Sequence, residues 1–541
     1  MAMQTANASI GLRLSLVLAT LLLVIAFPFA LKPRENLLAA ADDTIVIISP
    51  HNEAVRHEFT LAFANHYKSK TGRTVRIDWR LPGGTSEISR YLAGEYLAAF
   101  ERVWIANGKP WSQQVAASFD NPHITPSPNA AGDSLEQAVR RAFLESNTTC
   151  GIDLFFGGGA YDFDQQAAAG RLVASDVLKT HPDWFLPDSI PQDVSGETFY
   201  DPAGRWIGTC LSSFGICYNS DSLHRLGIER MPASWTDLTN PLFFKQVALA
   251  DPTKSGSAAK SFEMVIQQKM QELFSSAGAE SDAILALGWT QGLQIIQAAS
   301  ANARYFTDSA PKIPLDVSLG DAAIGMCIDF YGRFQSESVK IGNTPSRLQY
   351  FTPAGGSSIG VDPIGLLRGA PHRAVAEEFI AFVLSLEGQK LWNFKVGTPG
   401  GPKKYALRRL PIRKELYAAE YTSLRSDPEV MPYEEAKLFT YHPAWTASLI
   451  RTLGFIIRIT CLDLHREQAE AWRELVKAGF PRKAYKTFTD LSAVDYQAAR
   501  RLIKPTLASP NRLDEVRLAK QLSDIFRHQY EEAAKLAKEG K

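Results

Sequence analysis

The sequence predicts an α/β protein with largely parallel sheet, extended at its C-terminus by charged helices. Three observations carry this. Short apolar β-branched runs repeatedly enter loops of Gly, Ser and Thr that open amphipathic helices. The 541 residues are 45% apolar and 21% charged, which is ordinary globular composition and excludes a disordered, collagen-like or coiled-coil chain. Beyond about Ser426 the pattern turns helical and charged, with no further strand-and-loop units. The length suggests roughly three or four folding units.

The chain opens on Leu14 to Leu31, an 18-residue run without a charge, preceded by Arg13 and followed by Lys32-Pro33-Arg34-Glu35. It is membrane-targeting composition, and an export signal or an uncleaved N-terminal anchor both fit residues 1–41. An A-x-A site stands at Ala39-Ala40-Ala41, well separated from the apolar run by charges. No Cys follows the run, which disfavours a lipid anchor. Export would permit a bridge between Cys210 and Cys217 if their positions allow it.

Thr44 to Ile48 is a strand, Ser49-Pro50-His51-Asn52 a turn, and Val55, Phe59 and Phe63 mark one face of a helix closed by Gly72. Val75, Ile77, Trp79 and Leu81 alternate with polar residues, the period of a strand. Pro82 to Ser86 then opens a helix from Glu87 to about Leu97. Residues 99–150 break the rhythm with Gly, Pro, Asn and Ser, and end in a helix with the capping box Ser134-x-x-Gln137. Ile152 to Phe156 runs into Gly157-Gly158-Gly159. Trp206 to Tyr218 is extended, Leu226-Gly227 ends a short helix, and Val247 to Ala250 enters Asp251 to Ser257 and another helix. Ala322 to Ile328 is a strand ending in Asp329 to Arg333. Gly360 to Leu367 is extended again, and Ala374 to Trp392 has helical spacing.

Lys+Arg 58 against Asp+Glu 57 leaves a net charge of +1, so no global field exists to hold nucleic acid. No zincin, Walker or dinucleotide motif occurs, and the ten histidines form no metal-ligand spacing. Gly356-Ser357-Ser358-Ile359-Gly360 matches G-x-S-x-G, but an extended segment follows where a nucleophile elbow needs a helix. A secreted hydrolase using Ser358 is therefore the weaker alternative to a non-enzymatic protein without cofactor. What remains is loops at helix N-termini, namely Gly83 to Ser86, Gly157 to Gly159 and Ser255 to Ser257. Free backbone N–H groups and small side chains there suit an anion.

Tyr218 to Phe262, with Tyr218-Asn219, Leu226-Gly227, Pro232, Ser234-Trp235-x-Asp237-Leu238, Asp251-Pro252 and Ser255-Gly256-Ser257 in order, resembles the middle of periplasmic solute-binding proteins of ABC importers. The likeness is to the ferric and hexose-phosphate branch, and Leu319 to Arg333 and Ala376 to Trp392 extend it. The resemblance implies a two-lobed, type II-like periplasmic-binding-protein fold closing on a ligand by a hinge, with crossings near 216–218 and 360–366. The first lobe is then 42–217 plus 360–425, with an insertion at 99–150. The second is 218–359, and 426–541 is a helical extension.

This division implies a ligand site with His51, Gly84, Thr85, Ser86, Gly158 and Gly159 on one lobe. Ser255, Gly256, Ser257, Asp329 and Tyr331 face them from the other. Ferric members use a first-loop His and two adjacent Tyr, to which His51 and Tyr331 correspond. The second Tyr position is Gly332, and glycines stand where a carboxylate ligand would be. Hard Fe(III) needs anionic oxygen, so the resemblance favours a small anionic solute such as a phosphorylated sugar or phosphonate, with iron as the alternative. It also implies ABC importer membrane subunits as partners and a periplasmic or membrane-anchored location. A receptor-like fold that has become a sensing or scaffold module fits the same features.

Overall fold

The computed structural model describes residues 41–541 apart from 279 and 343, so the apolar leader lies outside the described residues. β1 (Asp43–Ile48) leads into α1 (Glu53–Thr71), whose N-cap Asn52 accepts the Val55 amide and whose C-cap Gly72 takes the left-handed conformation. β2 (Val75–Arg80) runs parallel to β1 and is followed by α2 (Thr85–Ala106). Next come α3 (Gln113–Ser118) and α4 (Leu135–Glu145), the latter opened by the capping box of Ser134 and Gln137. β3 (Leu154–Phe156), parallel to β1, enters α5 (Ala160–Ala169) through the three glycines. β4 (Leu172–Val173) and a hairpin of β5 (Asp193–Val194) and β6 (Glu197–Thr198) precede β7 (Ile207–Ser212).

The chain then crosses to a second sheet. β8 (Phe214–Asn219), α6 (Ser220–Arg225), β9 (Val247–Ala250), α7 (Gly256–Ala277), α8 (Asp282–Ala301) and β10 (Ala303–Thr307) come first. They are followed by α9 (Lys312–Leu319), β11 (Ile324–Ile328), α10 (Asp329–Ser338) and β12 (Leu348–Phe351). It returns through β13 (Gly360–Leu367), α11 (Arg373–Leu384), α12 (Leu386–Asn393) and β14 (Leu410–Pro411). The seven-stranded sheet has the order β14-β7-β13-β3-β1-β2 with β4 beside β13, and the five-stranded sheet β10-β9-β11-β8-β12.

Each sheet has its own apolar core. Phe59, Phe63, Phe155, Phe156, Phe379 and Trp392 belong to the first, and Trp235, Val247, Phe262, Ile266 and Trp289 to the second. The tail helices α13 (Ile450–Ile457), α14 (His465–Lys477) and α15 (Arg512–Lys538) join the second core through Phe455, Trp472, Phe526 and Tyr530. Pro443–Leu462 is the one helical run among the described residues long and apolar enough to cross a membrane, and 67% of its apolar window is buried within the protein. That burial is what a core helix requires.

Several details differ from the sequence reading. The sheets are mixed, because β13 pairs antiparallel with β3, β4 and β7, and β8 antiparallel with β11 and β12. These are the strands that carry the chain between lobes. The first crossing falls at Ser213, ahead of the 217/218 boundary, since β8 already pairs in the second sheet. The second occupies 352–359, just before β13. Helix α2 runs past residue 99, so the insertion begins inside a helix that packs Phe100 and Trp104 into the core. Asp329 to Arg333 open a helix and do not end a strand. Ser385 divides the helical stretch 374–392, capping α12 through the Gly388 amide. Cys210 and Cys217 are free thiols on different sheets.

Helices α7 and α8 pack so closely that only glycine fits at two positions of α8. A Cβ at Gly288 would lie 2.6 Å from the Met270 Cα, and one at Gly292 2.8 Å from the Ile266 Cα. Gly288→Ala should therefore force the helices apart at a cost of about 1–3 kcal/mol, visible as a lower midpoint in reversible chemical denaturation. An unchanged midpoint would show that the contact has slack.

Candidate ligand cleft between the lobes

Three helix N-termini converge from the two lobes. Gly84 is the extended N-cap of α2, Gly159 that of α5, and Ser255 that of α7, its hydroxyl accepting the Ala258 amide at 3.3 Å. A Cβ on Gly158 would lie 2.6 Å from the Thr85 methyl. A Cβ on Gly256 would lie 3.5 Å from Thr85 Oγ1 and 3.8 Å from the Asp162 carboxylate, across the lobe boundary. The loops are glycine where the backbones come close, and Gly158 has φ 133, which L side chains avoid. The first turns of α2, α5 and α7 therefore meet at the lobe boundary, which brings the positive ends of three helix dipoles together there.

Asp162, in the first turn of α5, stands in that region, and sequence reasoning missed it. Burial pushes its carboxyl up to about 6, while the Thr85 hydroxyl and the Gly159 amide act the other way. An acid at the third position of a helix resembles an ordinary dipole partner, so its sequence context gave no distinct signal.

His51, Asp329 and Tyr331 form a second group, behind the glycine loop. The His51 ring packs against Gly157, where a Cβ would lie 2.6 Å from Nε2, and edge-on against Phe156. Its neighbour is Arg409, only 1% exposed to solvent on its side chain, whose Nη1 donates to His51 Nε2 at 3.1 Å. Arg409 also pairs with Asp362, donates to Ser212 Oγ at 3.3 Å, and lies 3.8 Å from the centre of the Phe330 ring of the second lobe. Burial and the Arg409 charge, with Arg56 beyond it, hold the imidazole well below its usual pKa, so it is neutral with its proton on Nδ1. Asp329 is fully buried, receives Arg333 Nη1 at 2.8 Å, and is raised to about 6 by burial against the pull of Arg333 and Arg409. Burial lifts the Tyr331 phenol to about 12. His51 Nδ1, Asp329 Oδ1 and Arg409 Nε are buried without a hydrogen-bond partner.

The predicted residues thus fall into a cleft set and a buried set. Thr85, Gly158, Gly159 and Gly256 meet directly with Asp162; Gly84, Ser86, Ser255 and Ser257 flank them in the same turns. His51, Asp329 and Tyr331 gather around Arg409. Arg409 and Asp362 carried no sequence signal, being far from His51 in the chain. Ser358 is buried with its hydroxyl donating to Glu197 at 2.5 Å and beside the Met264 sulfur, so among the described residues its hydrogen bonds do not go to an imidazole. The hydrolase alternative therefore has no support.

Two α/β lobes joined by paired crossing strands, with helix N-termini facing one another between them, define a solute-binding protein. Residues 152–424, just over half the chain, match the model of the bacterial extracellular solute-binding protein family, and the chain belongs to it. An uncharacterized protein of Haemophilus influenzae is 26% identical over 244 residues, 44% of this chain and 60% of its own length. The phosphoglycerate transport regulatory protein PgtC of Salmonella typhimurium is 22% identical over 214 residues, 40% of this chain and 47% of its own. The chain thus spans between about half and three-fifths of the length of these relatives. Among solved structures, the periplasmic binding protein AfuA from Actinobacillus pleuropneumoniae, with fructose-6-phosphate bound, is 16% identical over 81% of this chain and 99% of its own, with a TM-score of 0.46. Iron-bound HitA from Pseudomonas aeruginosa is 16% identical over 76% of this chain and 98% of its own, with a TM-score of 0.44. At these scores neither ligand transfers to this chain.

Asp162 gives a pH test. Its folded pKa of about 6 lies above the ordinary 3.8, so the native state takes up this proton first. Its charge therefore opposes folding once pH rises through that window, and the penalty is absent below it. Asp162→Asn should raise stability above about pH 7 by up to roughly 3 kcal/mol and leave it unchanged below about pH 3.5. Denaturation midpoints at several pH values check this; a constant difference at all of them would refute the raised pKa.

Proposed function

We propose that this chain is an extracytoplasmic receptor that captures a small anionic solute between its lobes and delivers it to the membrane subunits of an ABC importer, with a phosphorylated sugar or phosphonate as the favoured ligand. The observation that carries this reading is the convergence of the α2, α5 and α7 N-termini, from both lobes, on glycines that leave the backbone accessible. In this reading Gly84, Thr85, Ser86, Gly158, Gly159, Ser255, Gly256 and Ser257 surround the anion. Asp162 accepts from a ligand hydroxyl, and His51, Asp329 and Tyr331 support the loop from behind with Arg409. The name of the relative PgtC, a phosphoglycerate transport regulatory protein, is compatible with a phosphorylated solute. The leader at 14–31 would place the receptor outside the cytoplasm, cleaved or anchored.

The iron alternative meets a physical obstacle. The His51 lone pair is engaged by a guanidinium, which repels a cation, and the Tyr331 phenol is held neutral by burial. An anion instead gains charge-assisted hydrogen bonds of roughly 1.5–3 kcal/mol each and about 0.3–1 kcal/mol per helix terminus. A few such contacts reach the roughly 8 kcal/mol of micromolar binding, before association costs.

Calorimetry with a hexose 6-phosphate, 3-phosphoglycerate and the neutral hexose tests the reading, with ferric citrate as the contrasting probe. The phosphorylated compounds should bind and the neutral sugar should not. Gly256→Val should weaken binding at least about tenfold, because its side chain would occupy the space facing Thr85 and Asp162. Equal binding of neutral and phosphorylated sugars, or a visible absorption band on adding ferric citrate, would overturn the anion reading.

A further inference from the structure

The segment 439–446, which enters the tail, touches both lobes at once. On the first lobe, the Tyr441 amide donates to the Ser195 carbonyl at 2.8 Å, in the turn of the β5–β6 hairpin. Contact there is so tight that a Cβ on Gly196 would lie 1.9 Å from the Tyr441 oxygen. On the second lobe, Tyr441 Oη donates to Glu263 of α7 at 2.8 Å and Thr446 Oγ1 donates to the same carboxylate at 2.5 Å. Gln267 of α7 completes the attachment, giving a hydrogen bond to the His442 carbonyl at 2.8 Å and accepting the His442 amide at 3.2 Å.

Beneath this segment a charged group crosses between the lobes. Lys260 of α7 lies 3.0 Å from Glu263 and 3.1 Å from Glu197 of the hairpin, with the Tyr441 ring 3.5 Å from its ammonium. Glu197 in turn receives the Ser358 hydroxyl from the second crossing at 2.5 Å. Burial opposes the Lys260 charge, but Glu197 and Glu263 outweigh it and hold the proton more tightly than usual. Separating the hairpin from α7 therefore strips a shielded ammonium of one of its two counter-ions and releases the Tyr441 amide. A cavity of about 540 Å³ borders the hairpin, lined by Ser195, Tyr417, Tyr433 and Lys437 among others.

We propose that residues 439–446 form an interlobe strap that fastens the β5–β6 hairpin of the first lobe to α7 of the second, so that the lobes open only when the strap lets go of the hairpin. This rests on lobe motion about the two crossings, and not on which solute fills the cleft. The tail then sets the opening equilibrium as well as stabilising the second lobe.

Ile105 and Leu319 are exposed and lie on opposite lobes, so spin labels there report lobe separation in the full chain without any ligand, once Cys150 is replaced by Ser. The parent chain should give one narrow distance distribution. Lys260→Met leaves two facing carboxylates, and Gly196→Ala drives the hairpin against the Tyr441 carbonyl; each should add a longer-distance population. If either variant folds with the parent's circular dichroism and both lack that population, the strap is refuted. Hydrogen exchange on the unmodified chain decides independently of any variant. The Tyr441 amide should exchange together with the amides of the second crossing, 352–359, and faster than those of α14. Protection of Tyr441 equal to that of α14 would overturn the proposal.

Discussion

A guanidinium that cannot reach water organises the junction of the two lobes. Arg409 is almost wholly buried where β7 leaves the first sheet and β13 returns to it, and its partners come from four segments: the first loop through His51, the two crossing strands through Ser212 and Asp362, and the second lobe through the Phe330 face. A charge in that place is tolerable only while all of these hold position. Burial penalises the charged form and Asp362 more than offsets it, so the arginine stays protonated. The crossing strands, the glycine loop resting on His51 and the first turn of α10 are thereby fixed relative to one another, and the cleft inherits its geometry from that point.

The cleft itself is made largely of backbone. Its closest contacts involve glycines, and three helix N-termini meet there. Such a surface is positive only close to its N–H groups. Asp162 adds an acceptor on the same surface.

What the sequence revealed about this site follows from which signals are local. Gly83 to Ser86, Gly157 to Gly159 and Ser255 to Ser257 stand out because small residues directly precede helical periodicity, and all three open helices in the structure. Asp162 did not stand out, because an acidic residue in a first turn is common for dipole reasons alone. Arg409 and Asp362 were invisible because their meaning lies in contacts made 47 to 358 residues away along the chain. The lobe boundary was displaced for a related reason: β7 and β8 form a nearly continuous extended run, broken only at Ser213, and nothing in its alternation marks the change of sheet.

The tail shows the same limit from the other side. Its helices read as an amphipathic appendage because amphipathicity announces a buried face without naming what covers it. In the structure that partner is α8 and the turn that follows it. Trp289 donates to the Val494 carbonyl at 3.0 Å, Gln297 to the Phe488 carbonyl at 2.9 Å, and Trp472 to the Asn302 side chain at 2.8 Å. Trp289 and Gln297 are buried groups of the second lobe that donate to carbonyls beyond residue 471, and buried Asn302, whose amide donates to Leu238 and Asn240 within the lobe, takes its side-chain acceptor's partner from Trp472. A lobe that ended its own fold at α8 would leave these groups to water on a face that also carries Leu293 and Ile296. The helices after residue 443 are therefore the outer layer of the second lobe. A segment leading into that layer while gripping the first lobe, as 439–446 does, is placed to tie the tail to the hinge.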